Sequence, residues 1–144
     1  MATTNPGIEV LAEEECLQLM ATQDVGRIAV VLGRQPFIVP VNYVLDGETI
    51  VFRTDPGTKL VGASLERVAF EVDHIEPEHK AAWSVHVQGV GQEVTAAYRE
   101  LFERVRSLAV HPWAPGDKQH WVRVFPKEIS GRRLSPASAG DVDA

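Results

Sequence analysis

The sequence predicts a mainly β (α+β) domain in which six short strands close, or nearly close, an antiparallel barrel flanked by a few helices. Three observations carry that prediction. Strand-length runs rich in β-branched residues recur along the chain, turn residues separate them at hairpin spacing, and no β-α-β alternation is present. With 144 residues, 44% of them hydrophobic, the chain is long enough to bury a core of its own. Residues 1–134 are therefore read as one barrel domain and 135–144, "SPASAGDVDA", as a disordered tail.

The elements follow in order. "MATTNPGIEV" reads as a poorly ordered start. "LAEEECLQLMATQDVG" reads as a short helix, with acids in its first turns, Cys16, Leu17 and Met20 on one face, and Gly26 beyond its end. The strands are Gly26–Leu32, Pro36–Leu45, Glu48–Thr54, Arg67–Asp73, Trp83–Val94 and Trp121–Leu134. Asp46-Gly47 is a hairpin signal, and Gly33-Arg34-Gln35 joins the first two strands in another. "GTKLVGASLE" has the length of a short helix between the third and fourth strands, and Gly89 with Gly91 signals a bulge or bend in the fifth. From Ala96 to Leu108, Ala97, Leu101, Val105 and Leu108 trace one helical face. A Pro-rich loop then leads to the last strand. Runs such as "RIAVV" are apolar on both faces, so helices or a second copy must cover part of the barrel's outside.

Composition excludes several classes. A formal net charge of −6 opposes non-specific adhesion to nucleic acid or to an anionic membrane. No apolar run reaches the roughly 18–20 residues that span a bilayer, and no secretory signal pattern opens the chain. With a single cysteine, Cys16, no internal disulfide forms, so a cytoplasmic protein is expected. The five histidines lack zinc-ligand spacing, and no G-x-S-x-G, Walker or GxGxxG pattern occurs. No metal site is assigned.

Three stretches carry candidate chemistry. In "VFRTDPGTKL", Arg53 and Thr54 end a strand, Pro56-Gly57 turns the chain, and Thr58 and Lys59 open the next segment. Two cations, hydroxyls and free backbone N–H groups suit a phosphate; a solvated corner with the cations paired to Asp55 or Glu48 suits the same pattern. In "FIVPVNY", Pro40 removes a ladder donor in mid-strand, and Asn42 shares its face. That is either an edge strand or a strand laid along a planar heteroaromatic ligand. In "WSVHVQG", Ser84, His86 and Gln88 form a polar stripe facing solvent or a ligand.

In order, "GRIAVV", "PFIVPVNYVLDGETIVFRTDPGTK", "VAFEVD" and "WSVHVQGVGQEV" resemble the pyridoxamine-phosphate-oxidase-like family of FMN-binding split barrels, in particular a small branch with nitroimidazole-resistance-type and flavin-binding proteins. The resemblance covers about Ala12 to Val94, and more weakly "WVRVFPKEISGRR". It implies a flavin-dependent oxidoreductase acting on a small molecule, with FMN bound between the subunits of a homodimer. It further implies Arg53, Thr54 and Lys59 on the phosphate with Thr58 nearby, and Pro40, Val41 and Asn42 along the isoalloxazine. Trp83, Ser84 and Gln88 would complete the ribityl and phosphate side, and Arg27 falls at a position that faces the cofactor or forms an ion pair. Trp113 or Trp121 would come from the partner chain. No acid-base residue is assigned as catalytic, since hydride transfer to a flavin need not use one; His86 and Tyr43 suit either proton transfer or a structural role. The resemblance favours the anion clamp over the bare corner. Relatives that use the deazaflavin coenzyme F-420 or bind heme leave two alternatives, a deazaflavin-dependent reductase and a non-catalytic flavin- or heme-binding protein, with His74 or His79 as the heme ligand. The chain lacks the C-terminal segment of true pyridoxamine-phosphate oxidases, which argues against vitamin B6 oxidation.

Overall fold

A computed structural model describes residues 7–54, 63–95, 100, 103–104, 107–108, 110–113 and 120–136. Its strands are β1 (Ile8–Val10), β2 (Val25–Leu32), β3 (Gln35–Asp46), β4 (Thr49–Thr54), β5 (Ser64–Glu76), β6 (Ala81–Val94) and β7 (His120–Leu134), with helix α1 (Glu13–Met20) between β1 and β2. All pairings are antiparallel, and the order β7-β4-β3-β2-β5-β6 returns to β7 through a β6–β7 ladder. Six strands thus close a ring, as the alternating runs and hairpin turns require.

The hairpins stand where their turn residues set them. Gly33 and Gly47 both adopt φ of +64°, which an L side chain resists, and they connect Leu32 to Gln35 and Asp46 to Thr49 in register. A bulge does occur opposite Gly89, but its extra residue lies on β7 rather than in the fifth strand. The β6–β7 register steps from Gln88 opposite Glu128 to Gly89 opposite Pro126, so Lys127 is the extra residue. β5 and β6 run longer than expected and meet at a 3-10 turn, Pro77–His79.

Inward side chains fill the ring. Ile28, Val30, Ile50, Phe52, Phe70, Val72, Val85, Val87 and Val124 are essentially inaccessible, and Cys16 and Met20 of α1 join the same core. α1 carries Glu13, Glu14 and Glu15 in its first turn, where the helix dipole favours anions. Tyr43 ties it to the barrel by donating its hydroxyl proton to the Met20 carbonyl. A second apolar cluster lies outside β4, β6 and β7, where Val51, Val94 and Trp121 meet Val110 and Leu108.

Four expectations change. Residues 8–10 form a seventh strand rather than a loose start, because alternating Ile8, Glu9 and Val10 pair with Leu134, Arg133 and Arg132, and Arg133 bonds Glu9 at 3.1 Å. The helix ends at Met20, short of Gly26, since Thr22 turns back on the Leu19 carbonyl through its hydroxyl. Ser64–Glu66, assigned to a helix, belong to β5, where Ser64 pairs with Val31; 57–62 lie outside the described residues. Ser135, assigned to the tail, donates its N–H to the Gly7 carbonyl at 2.8 Å, and 137–144 lie outside the described residues. Most of the helix expected over 96–108 also lies outside them, though 100, 103 and 104 are helical.

Candidate functional site

The pleat divides the expected site residues. On β3, Phe37, Val39 and Val41 pack on the core, whereas Pro36, Ile38, Pro40 and Asn42 face outward. The Tyr43 N–H donates to the Asp24 carbonyl, so odd positions of β3 bond toward β2 and even positions toward the opposite edge. Pro36 and Pro40 therefore lack a donor only on an edge that β4 leaves uncovered, because the β3–β4 ladder begins at Tyr43. The edge reading of Pro40 holds. Val41 directs its side chain into the core, away from any ligand on the outer face.

Two expected residues, Asn42 and Arg53, each lie one step beyond the Tyr43–Phe52 pair, where β3 and β4 part. Carried one step beyond Tyr43–Phe52, the register would oppose Asn42 to Arg53. Instead the Asn42 amide donates to the Asp24 carbonyl at 3.2 Å and accepts the Trp113 N–H at 2.7 Å. Arg53 is half-buried, with its guanidinium 4.8 Å from the centroid of Trp121, its neighbour across the β4–β7 ladder. Thr54 is buried opposite His120, which contacts Glu93. The alternation of β4 sends the Thr54 side chain inward after Ile50 and Phe52 and Arg53 outward with Val51, and a stacked guanidinium at a strand end has the donor chemistry a phosphate requires. Thr58 and Lys59 lie outside the described residues.

The other expected residues line the outer face of β3-β2-β5-β6. One cross-strand row runs Pro40, Arg27, Glu71, His86, Ser130; the next runs Ile38, Ala29, Ala69, Gln88, Glu128; a third begins Asp73, Ser84, Arg132. Arg27, Ala29, Ile38, Ala69, Glu71, Asp73 and His86 border a cavity of about 450 Å³, a size that accommodates a small planar ligand. Trp83 does not share this face: it packs partly on the core and borders a cavity of about 300 Å³ near Ser84 and Arg132. Arg27 is the ion pair that one of its two readings required, bonding Glu71 at 3.0 Å and Asp73 at 3.4 Å.

Sequence reasoning passed over Glu71 and Asp73, although "VAFEVD" carried a signal: two carboxylates two apart on one face of an otherwise apolar strand. Burial, then the hydrogen bond to Asp73 and its charge, push the Glu71 carboxyl up to about 7 against the opposing pull of Arg27. Among the described residues no group of three His, Cys, Asp or Glu side chains could hold a metal ion, and no helix is long and apolar enough to cross a membrane. Burial and the nearby Glu15 and Glu13 raise the Cys16 thiol, which keeps it protonated inside the core.

The family model described as pyridoxamine 5'-phosphate oxidase matches residues 12–133. An uncharacterised protein of Mycobacterium tuberculosis, Rv0080, is 30% identical over 130 residues, covering 86% of this chain and 84% of that one. A candidate pyridoxamine 5'-phosphate oxidase of Corynebacterium glutamicum superposes with a TM-score of 0.78 at 30% identity, over 94% of this chain and 98% of that one. The FAD-binding protein of Mycobacterium smegmatis superposes with a TM-score of 0.67 at 33% identity, over 88% and 98%.

Proposed function

We propose a function from one premise: this chain belongs to the pyridoxamine 5'-phosphate oxidase family. It is a flavin-binding oxidoreductase that works on a small-molecule substrate as a homodimer. The observation that carries this reading is Arg53, stacked on Trp121 where β3 and β4 part. The relative named for FAD binding, at 33% identity, supports a flavin as the ligand. FMN and FAD share the isoalloxazine, ribityl chain and first phosphate, and the clamp addresses that shared part; FMN is the smaller occupant that satisfies it.

Arg53 and Thr54, with Thr58 and Lys59, would hold the phosphate. The apolar strip of Ala29, Ala69, Ile38 and Pro40 would lie against the ring, with Arg27, Ser84 and Gln88 at its polar margin. When bound, the flavin supplies the hydride and electron chemistry. The chain binds it, orients it and shields it from water. Shielding calls for a cover over the outer face, where Val31 is 42% and Ile38 71% exposed. A second copy of the chain, set against the β3 edge beyond the β3–β4 ladder, would supply that cover and bury the cofactor between subunits.

The test is a titration of the purified protein with FMN, FAD and the deazaflavin, repeated on Arg53→Gln. A lost charge-assisted bond of about 1.5–3 kcal/mol weakens FMN binding roughly 10- to 150-fold. Equal FMN affinity in wild type and variant removes the clamp. Preference for the deazaflavin keeps the clamp and changes the cofactor.

A further inference from the structure

Two carboxylates on the outer face share one guanidinium. Arg27 of β2 lies opposite Glu71 of β5, Glu71 lies opposite His86 of β6, and Asp73 follows Glu71 by two residues on the same side. Arg27 Nη1 donates to Glu71 Oε1 at 3.0 Å and to Asp73 Oδ2 at 3.4 Å. The row ends in Pro40 on β3 and Ser130 on β7, neither of which titrates in this range. With every group ionised and His86 neutral, the cluster carries one surplus negative charge beside an apolar wall.

We propose that this cluster is the proton-exchange site of the outer-face cavity, with Glu71 giving a proton to, or taking one from, a ring nitrogen of a heteroaromatic ligand bound against Ala29, Ile38 and Ala69. The inference rests on the flavin reading above and adds to it the residue that handles the proton. In the forward direction the Glu71 O–H bond breaks and an N–H bond forms on the ring. The ring gains one positive charge and Glu71 becomes a carboxylate, which Arg27 stabilises. Electrons move only between the flavin and its substrate. Asp73 keeps the resting proton on Glu71 by accepting its hydrogen bond, consistent with a Glu71 carboxyl pushed up to about 7. His86 is exposed across the β5–β6 ladder and lies on the route by which solvent returns the proton. A proton donor works best with its pKa near the working pH, a condition that burial and then the neighbouring Asp73 favour at Glu71 against the pull of Arg27.

Carbon-13 NMR of the side-chain carboxyls, titrated with pH on the full chain without and with saturating FMN, tests the proposal. One glutamate should titrate near neutrality; its signal should vanish in Glu71→Gln, move down in Asp73→Asn and move up in Arg27→Gln. Asp73→Asn guards against a Glu71→Gln variant that fails to fold. FMN should shift the midpoint by about half a unit or more, and Glu71→Gln should slow reduction of bound flavin at neutral pH by about 100-fold. If no glutamate titrates above about 5.5, or if FMN binds and leaves Glu71 unmoved, the proposal falls while the flavin reading stands. If no flavin binds at any concentration, the flavin reading falls and this assignment falls with it.

Discussion

A methyl group at Gly89 should damage the barrel far more than one at Gly91, two residues along the same strand. A Cβ at Gly89 would sit 2.3 Å from the Phe125 carbonyl oxygen, 3.0 Å from its carbon and 3.2 Å from Pro126 Cα, all of them backbone atoms. Relieving that overlap requires β6 and β7 to separate locally by about 1 Å. Ladder hydrogen bonds near 2.9 Å then stretch beyond useful length. Losing about two of them at roughly 1 kcal/mol each, with about 1–3 kcal/mol of overpacking, outweighs the 0.4–1 kcal/mol gained from a stiffer unfolded chain. The net cost for Gly89→Ala is about 3 kcal/mol, or about 10 °C in Tm for a chain of this size. At Gly91 the nearest atoms to the new methyl are Leu65 Cβ at 3.1 Å and its Cγ and Cδ2 at 3.5 Å, a contact relieved by a shift far smaller than the one Gly89 demands. That variant should stay within about 1 kcal/mol of wild type. Urea unfolding followed by tryptophan fluorescence measures both. Equal midpoints for the two variants would refute the claim that backbone, not side chain, closes the β6–β7 bulge.

Tyr43→Phe removes the donor to the Met20 carbonyl, which keeps a second bond from the Gln23 N–H at 3.3 Å; the loss should be about 1–2 kcal/mol in the same assay, and an unchanged midpoint would mean that packing alone seats α1. The raised Glu71 pKa sets a sign for stability: its folded value lies above the ordinary 4.5, so its contribution is complete below that pH and is lost as pH rises toward and through about 7. Glu71→Gln should flatten the stability curve across that window, and an unaltered curve would show that Glu71 does not titrate there. Ile38→Glu introduces a charge at a site 71% exposed in the single chain; sedimentation velocity should find the proposed dimer for wild type and a folded monomer for the variant, whereas a dimer in both would move the interface off this face.

Local pattern made the ring's parts legible before its closure. Asp46-Gly47 and Gly33 announced two hairpins because only a few residues tolerate their backbone, and Gly89 announced the bulge for a related reason, close backbone approach. β1 was not legible, since three residues beginning at Ile8 carry too little periodicity and exist as a strand only because the end of β7 offers them an edge. The helix assigned to Ser64–Glu66 failed similarly, for its alternative was pairing with β2, a contact across more than thirty positions of sequence. At the site, alternation correctly grouped Pro40 with Asn42 and Ser84 with Gln88. The partnership of Arg27 with Glu71 and Asp73 depends on strand order, which no local pattern encodes.

The filled interior then limits where function can reside. A six-stranded ring is narrower than the eight-stranded barrels whose interiors side chains just fill, and here Phe52, Phe70, Ile28 and their neighbours leave no solvent access to the centre. A ligand must bind outside, so the outward residue of each inward-outward pair decides what the barrel does. On β4, β6 and β7 those outward positions include Val51, Val94 and Trp121, already covered by Val110 and Leu108. On β3, β2 and β5 they are Ile38, Ala29, Val31 and Ala69, beside the ionic cluster of Arg27, Glu71 and Asp73, and among the described residues no other segment covers them. The two faces meet where β3 parts from β4, between Asn42 and Arg53. An elongated ligand with an anionic end and a flat apolar body matches that junction: the cation lies at the covered side, the wall at the open side, and Glu71 faces the wall.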